Sequence, residues 1–343
     1  TDAHHVDQRG GLAGRHVDAV DADRVGTRHR RHPVGIAGHQ RPFRLRCAHL
    51  FDQQQGMAAR QTEQKALGCP FARQRIAQSQ SLALRIAAMA DMDFTFLYDN
   101  QRDLFAIGYN ADEHRLDSAF YDLLASEMRL TNFVVIAQGQ VPQASWFALG
   151  RLLTSNAGVP VLLSWSGSMF EYLMPLLVMP SYEGTLLDQT CQAAVERQID
   201  HGNVLGIPWG VSESAYNALD AHLNYQYRAF GVPGLGLKRG LGEERVVAPY
   251  ASALALLVAP GAACRNLQRL CTLGLAGRFG LYEAIDYSES RLPPGQQAVV
   301  IRSFMAHHQG MSLVALGNML TGNRMQERFH ADPVMASAEP KKP

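Results

Sequence analysis

Apolar side chains return every three to four positions through much of this chain, and that spacing confines it to a mainly helical fold. Leu187, Cys191, Ala194, Val195 and Gln198 keep the beat, and Ala263, Leu267, Leu270 and Cys271 resume it after the break at Pro260-Gly261. Asp117 to Ala137 reads as one long helix and Met305 to Leu320 as another. Gly, Pro and aromatic residues crowd Leu205 to Trp209 and Phe230 to Leu241, marking both as connecting loops. Strand-like runs such as Val161 to Leu163 are short, and no strand–helix alternation is present. The expectation is layers of helices, with loops at one end carrying the chemistry.

Composition divides the chain. Residues 1–80 hold seven of the thirteen His and twelve Arg with one Lys against seven acids, a net of +6, with neither Trp nor Tyr. The remainder carries about −5, which gives the overall +1. Runs such as Arg28-His29-Arg30-Arg31-His32-Pro33 lack the aromatic interleaving of single-strand binders and any helical spacing, so a nucleic-acid partner is not indicated. This basic segment reads as non-native or disordered, like a GC-rich gene translated in the wrong frame. Residues 81–325 have the composition of one globular domain with a sizeable core, and residues 326–343 read as a C-terminal tail or linker.

The five Cys contain no C-x-x-C pair, which argues against a disulfide framework or zinc site and favours a reducing compartment. The longest apolar stretch, Ala251 to Ala263, is broken by Pro260 and is too short to span a bilayer. No secretory signal opens the chain, so the piece by itself is expected to be soluble. His307-His308 lacks H-E-x-x-H spacing and reads as a packing or solvent-facing pair, and no metal is called for. Gly231 to Lys238 lacks phosphate-loop spacing and reads as a turn, and there is no G-x-S-x-G elbow. No organic cofactor is implied.

Two carboxylates stand out. On the expected helix Asp117 to Ala137, Glu127 lies on the apolar stripe with Phe120, Leu123 and Leu124, and has no basic neighbour three or four positions away. A carboxyl held among apolar groups acquires a raised pKa, as a general acid needs. Glu213 follows Ser212, a candidate N-cap that would put the acid in a first helical turn beside Trp209. Its sequence neighbours His222, Asn224 and Tyr225 suit a glycan site, where flat rings carry sugar faces and polar tips meet hydroxyls. Two further loops repeat the aromatic-plus-acid theme: Trp165 to Tyr172, with Glu171 and small residues that would admit a ligand, and Tyr282 to Tyr287, with Asp286.

Several long motifs occur in order: Asp93 to Asp99, Leu104 to Asn110, Tyr121 to Glu127, Ser164 to Pro175, Trp209 to Ala215, Tyr227 to Gly236, Ala248 to Ser252 and Met305 to Ser312. Together they resemble the glycoamylase-like middle domain of bacterial cyclic β-1,2-glucan synthases, from about residue 82 to the C-terminal end. The resemblance implies an (α/α)6 toroid, incomplete at its N-terminal side because residues 1–80 do not resemble the family. It also implies a transglycosylase that closes linear β-1,2-glucan into a ring with retention of configuration. One carboxylate would form a glycosyl-enzyme and the other would act as acid/base. Glu127 and Glu213 are the expected pair, with their roles left open. Trp165, Glu171, Tyr172, Trp209, His222, Asn224, Tyr225, Tyr282 and Asp286 are the expected subsite residues. The parent proteins of this kind are large membrane proteins, so the resemblance puts the domain at the cytoplasmic face of the inner membrane, covalently linked to glycosyltransferase and phosphorylase-like domains. A β-1,2-glucan hydrolase and a non-catalytic glycan-binding fragment are the alternatives.

Overall fold

The computed structural model describes residues 70–156 and 158–338. The basic, His-rich stretch read as non-native lies almost wholly outside them. The expected domain boundary near residue 80 falls inside a helix, Pro70–Ala90, none of whose residues is buried.

The long helix expected over Asp117 to Ala137 is the first correction. Only Met128–Ala137 is helical, and Phe120–Tyr121 is instead the outer strand of an antiparallel sheet with Leu104–Ala106 and Tyr98–Asp99. Backbone pairing explains the change. Gly150 N–H donates to Asp122 O at 2.7 Å and Leu124 N–H to Gly150 O at 3.0 Å, so the groups a helix would need are already spent. Glu127 therefore stands at the start of the helix, as its N-cap residue, rather than along its stripe.

The regular helices downstream follow the spacing. Helix Leu186–Leu205 is capped by the Thr185 side chain, which accepts from Asp188 N–H, and it ends at Gly206 in the left-handed region (φ 70°). Cys191, Ala194, Val195 and Gln198 are buried on it, as the beat predicts. Pro260 supplies the first turn of Pro260–Leu270, which buries Ala263 and Leu270. Helix Ala306–Thr321 realises the expected Met305 to Leu320 element, and it packs on the fully buried helix Pro249–Leu254. One core joins these elements, with Leu162, Tyr172, Leu173, Leu235, Ala248, Leu254, Leu270 and Ile301 at its centre. A satellite core of Tyr98, Phe105, Val135 and Val141 seals the first sheet.

Between the helices lie short strands that the spacing did not reveal. Val246–Val247, Ala284–Asp286 and Val299–Ile301 form one antiparallel sheet, and Ser214–Leu219 pairs with Tyr225–Arg228 as a hairpin. The second correction is here, because no helix follows Ser212. The donors that a helix start would leave open are claimed from outside: Ala215 N–H goes to Glu283 and Asn217 N–H to Asp286. Residues 326–338 are a third correction. They are not a tail but belong to helices Arg324–His330 and Pro333–Ala338, folded onto Met128–Ala137, with Phe329 against Phe133 at 6.2 Å between ring centroids. The architecture is an α-rich toroid type whose ring of helices does not close among the described residues. None of their helices is long and apolar enough to cross a membrane.

Two loops interlock. Ser164 N–H donates to Leu235 O, Leu237 N–H to Ser164 O, and Val232 N–H to Gly167 O, all at 3.0–3.1 Å. The loops meet through glycine: a Cβ on Gly231 would sit 1.8 Å from Ser166 O, and one on Gly236 would sit 2.5 Å from Gly167 N. The small residues of the Trp165 to Tyr172 loop thus admit another stretch of backbone, not a ligand. Gly317, in contrast, is helical with open space around it. Thermal melts should therefore separate the two positions. Gly231→Ala is expected to destabilise by at least about 1–3 kcal/mol through overpacking. Gly317→Ala is expected to stabilise by about 0.5–1 kcal/mol through helix propensity. Equal shifts would contradict the interlock.

Candidate active site

Glu127 and Glu213 arrive from different elements, one at a helix start and one at the foot of a hairpin, and the fold brings them into each other's field. Burial raises the Glu213 carboxyl to about 7, with the negative charges of Glu127 and Glu171 adding to the shift, while a hydrogen bond from Tyr227 and the Lys238 cation pull the other way. The Glu127 carboxyl is raised by burial and then by Glu171, against a hydrogen bond from Ser126 (3.2 Å) and the charge of Arg129. Tyr121 feels both carboxylates, which places it beside the pair.

Arg129 does not neutralise Glu127. Its buried guanidinium is spent on three carbonyl oxygens: Ser126 at 2.9 Å, Glu171 at 2.8 Å and Tyr172. It ties the start of helix Met128–Ala137 to helix Met169–Leu173 and leaves the carboxylate free for other chemistry.

Glu171 is the structural counterweight. It is 5 % exposed and completes a capping box with Ser168, accepting from Ser168 N–H at 2.9 Å. Its oxygens also accept from Trp165 N–H and Ser166 N–H at 3.0 Å and from the hydroxyls of Ser164, Ser166 and Ser168. With its lone pairs filled, Glu171 shapes the loop and its charge acts at a distance on the two other acids.

The expected subsite residues divide into those near this cluster and those elsewhere. Trp165 is half exposed, its indole N–H is held by Asp122 at 2.8 Å, and its carbonyl accepts from Lys238 N–H. Tyr172 is core, 1 % exposed, with its hydroxyl donating to Leu235 O at 2.7 Å and accepting from Ser164 N–H. Trp209 is also core, its Cβ lying against Gly202 and its backbone bonded to Asn266. His222 and Asn224 sit in the hairpin turn around Asp220, and Tyr225 pairs with Leu219 at the end of the hairpin away from Glu213. Tyr282 packs on Phe304 at 5.0 Å between centroids. Asp286 is fully buried and ion-paired with Arg291 at 2.8 Å while accepting from Asn217 and Ser288 N–H, which makes it a strut rather than a sugar ligand.

Four further residues converge on this region from elements far apart along the chain. Tyr227 reaches Glu213, His308 and Glu283 lie behind Tyr227, and Tyr250 donates to Glu213 O at 3.0 Å. His307-His308 was visible as a pair, but its partner Glu283 lies on a distant strand end. A cavity of about 430 Å³ walled by Leu124, Phe133, Trp146, Leu176 and Leu187 contains neither carboxylate. No group of His, Cys, Asp and Glu that could hold a metal occurs among the described residues.

An α-rich toroid type with two raised carboxyls is compatible with a glycoside-processing class of protein. The chain belongs to the Glycoamylase family, whose model matches residues 119–333. It is 49 % identical over 267 residues to the cyclic β-(1,2)-glucan synthase NdvB of Rhizobium meliloti (strain 1021), covering 78 % of this chain but only 9 % of that protein's length. Among solved structures it is similar in fold to an endo-β-1,2-glucanase from Chitinophaga pinensis, complexed with sophorotriose and glucose, at TM-score 0.55 and 15 % identity over 76 % of this chain and 64 % of that one. An endo-β-1,2-glucanase from Talaromyces funiculosus, complexed with β-1,2-glucan, matches at TM-score 0.51 and 14 % identity over 79 % of this chain and 61 % of that one.

The raised Glu213 carboxyl has a consequence for stability. A carboxyl that holds its proton more tightly when folded contributes stability that is complete below its unfolded pKa near 4.5 and is lost as pH rises through about 7. Glu213→Gln removes that loss. The melting temperature of Glu213→Gln relative to the parent chain should rise between pH 4.5 and 7.5. A difference that stays constant across that range would contradict the raised carboxyl.

Proposed function

We propose that this chain is a transglycosylase domain that acts on linear β-1,2-glucan and closes it into a ring with retention of anomeric configuration. The observation that carries this reading is the Glu127–Glu213 pair, electrostatically coupled, in a chain half identical to a segment of a cyclic β-1,2-glucan synthase. In this reading the chain works alongside glycosyltransferase and phosphorylase-like domains of a longer membrane protein.

The chemistry divides into two displacements at one anomeric carbon. A carboxylate attacks C1 of a β-1,2-linked glucosyl unit while a carboxylic acid protonates the departing 2-oxygen, leaving a glycosyl-enzyme of inverted configuration. The hydroxyl at position 2 of the chain's own non-reducing end then attacks C1 and gives its proton to the same acid/base residue, which restores the original configuration and closes the ring. We assign the acid/base to Glu213, because burial and the charges of Glu127 and Glu171 raise its carboxyl to about 7. Glu127, whose carboxyl the Ser126 hydroxyl and the Arg129 charge pull back toward its charged form, is then the nucleophile. Trp165 offers a flat face on which a glucosyl ring rests, which helps hold the chain end near C1.

A hydrolase differs only in its acceptor, with water taking the place of the sugar hydroxyl, and the β-1,2-glucanases of similar fold keep that reading as the second choice. Mass spectrometry of products from linear β-1,2-glucan separates the two. Rings, lighter than the linear chain of equal length by one water, support transglycosylation, and exclusively linear reducing oligosaccharides refute it. Glu127→Gln and Glu213→Gln should each lower turnover by more than about 10³-fold. If both variants retain turnover, the assignment of the pair is wrong.

A further inference from the structure

The backbone that carries Glu213 is held by a closed circuit of contacts. The Tyr250 hydroxyl donates to Glu213 O at 3.0 Å and lies 2.7 Å from Oγ of Ser212. Its single hydrogen is committed to the Glu213 carbonyl, so Ser212 donates to the Tyr250 oxygen, while Oγ of Ser212 accepts from Phe170 N–H at 3.0 Å. The Tyr250 ring stacks on the His308 imidazole with centroids 3.7 Å apart at 11°. Nδ1 of His308 lies 2.9 Å from the Glu283 carboxylate, and that carboxylate accepts from Ala215 N–H at 3.3 Å. The circuit thus leaves the segment at the Glu213 carbonyl and returns to it at the Ala215 amide.

We propose that Tyr250, His308 and Glu283 are positioning residues that set where the Glu213 carboxyl stands, acting through the backbone on which it is mounted. The proposal rests on the catalytic reading of Glu213. Bonds at Glu213 O and Ala215 N–H fix the two peptide groups that follow the Glu213 Cα. Ser212, on the other side, is tied to Phe170 and Tyr250, so the Cα is held from both directions. The direction in which the side chain leaves the backbone is thereby set before substrate arrives. An acid that must protonate a departing oxygen and later take a proton back tolerates displacement poorly, and about 1 Å of misplacement costs roughly 10²-fold in rate.

Directed contacts carry this alignment more than close packing does. Tyr250, Glu283 and His308 are 2–3 % exposed, yet all three wall a cavity of about 180 Å³ that also borders Tyr282, Gln309 and Ser312. The rings are therefore not close-packed on that side, and the stack and the carboxylate bonds hold the Tyr250 hydroxyl on its target. The three residues come from helix Pro249–Leu254, from the position before strand Ala284–Asp286, and from helix Ala306–Thr321. One circuit thus ties three elements to the Glu213 segment, and the Phe170 link adds the helix that carries Glu171.

The test measures kcat and KM for linear β-1,2-glucan on the full chain, with each substitution made in the parent and in Glu213→Gln. Tyr250→Phe keeps the ring and its stack but removes the hydroxyl, and should lower kcat by roughly 10- to 100-fold with KM unchanged. Glu283→Ala should do the same, and Glu283→Gln, whose amide oxygen still accepts from Ala215 N–H, should recover most of the loss. In the Glu213→Gln background Tyr250→Phe should cost less than about twofold, because both changes act on one group already disabled. A Tyr250→Phe kcat equal to that of the parent overturns the proposal. A loss confined to KM, or one that multiplies in the Glu213→Gln background, overturns it as well. If either Tyr250→Phe or Glu283→Ala does not fold, the other decides. If Glu213→Gln keeps its turnover, the catalytic reading fails and the positioning role falls with it, whereas a Glu213→Gln loss beside an unaffected Tyr250→Phe strikes the positioning role alone.

Discussion

The Glu171 carboxylate is the interaction on which the rest of the site depends. It collects backbone and hydroxyl donors from Ser164 through Ser168 and closes the cap of its own helix. That loop, once shaped, locks against Gly231 and Gly236 at distances no side chain tolerates, and Lys238 follows by pairing with Trp165. The carboxylate also acts through space, since its fixed charge helps to raise both Glu127 and Glu213. One buried acid thus supplies the shape of the cleft and part of its electrostatics.

Burying acids is costly unless each is satisfied, and the fold meets that requirement in different ways. Asp286 is paired with Arg291, Glu283 with His308, and Glu171 with a ring of donors. Glu127 and Glu213 are left with weaker partners and raised pKa values. Incomplete satisfaction at two neighbouring acids, amid full satisfaction elsewhere, is the pattern expected where charge must change during a reaction. Arg129 illustrates the selectivity: it lies within electrostatic reach of Glu127, yet its guanidinium is committed to carbonyl oxygens.

Helical spacing read Leu186–Leu205, Pro260–Leu270 and Ala306–Thr321 correctly, because each buries one stripe against a common core. It misread residues 117–127 and 212–219, where apolar residues also fall at helical intervals but the backbone donors find partners on other segments. Of the two acids singled out, Glu213 feels the charge of Glu127. The aromatic and acidic residues around them were less legible. Tyr172 and Trp209 have the composition of a sugar platform yet lie in the core, and Asp286 has that of a ligand yet is neutralised by Arg291. Tyr227, His308 and Glu283 went unlinked because they come from a hairpin, a helix and a strand end that are far apart along the chain.

The sequence alone determined the helical class and the family, since these follow from periodicity and motif. Only the tertiary structure decided that Glu213 heads a strand instead of a helix, that Glu171 is spent on its own loop, and that Tyr227 meets His308. The reason is physical. A pKa and a hydrogen-bond partner are set by groups converging from distant elements, and spacing along one segment carries no record of them.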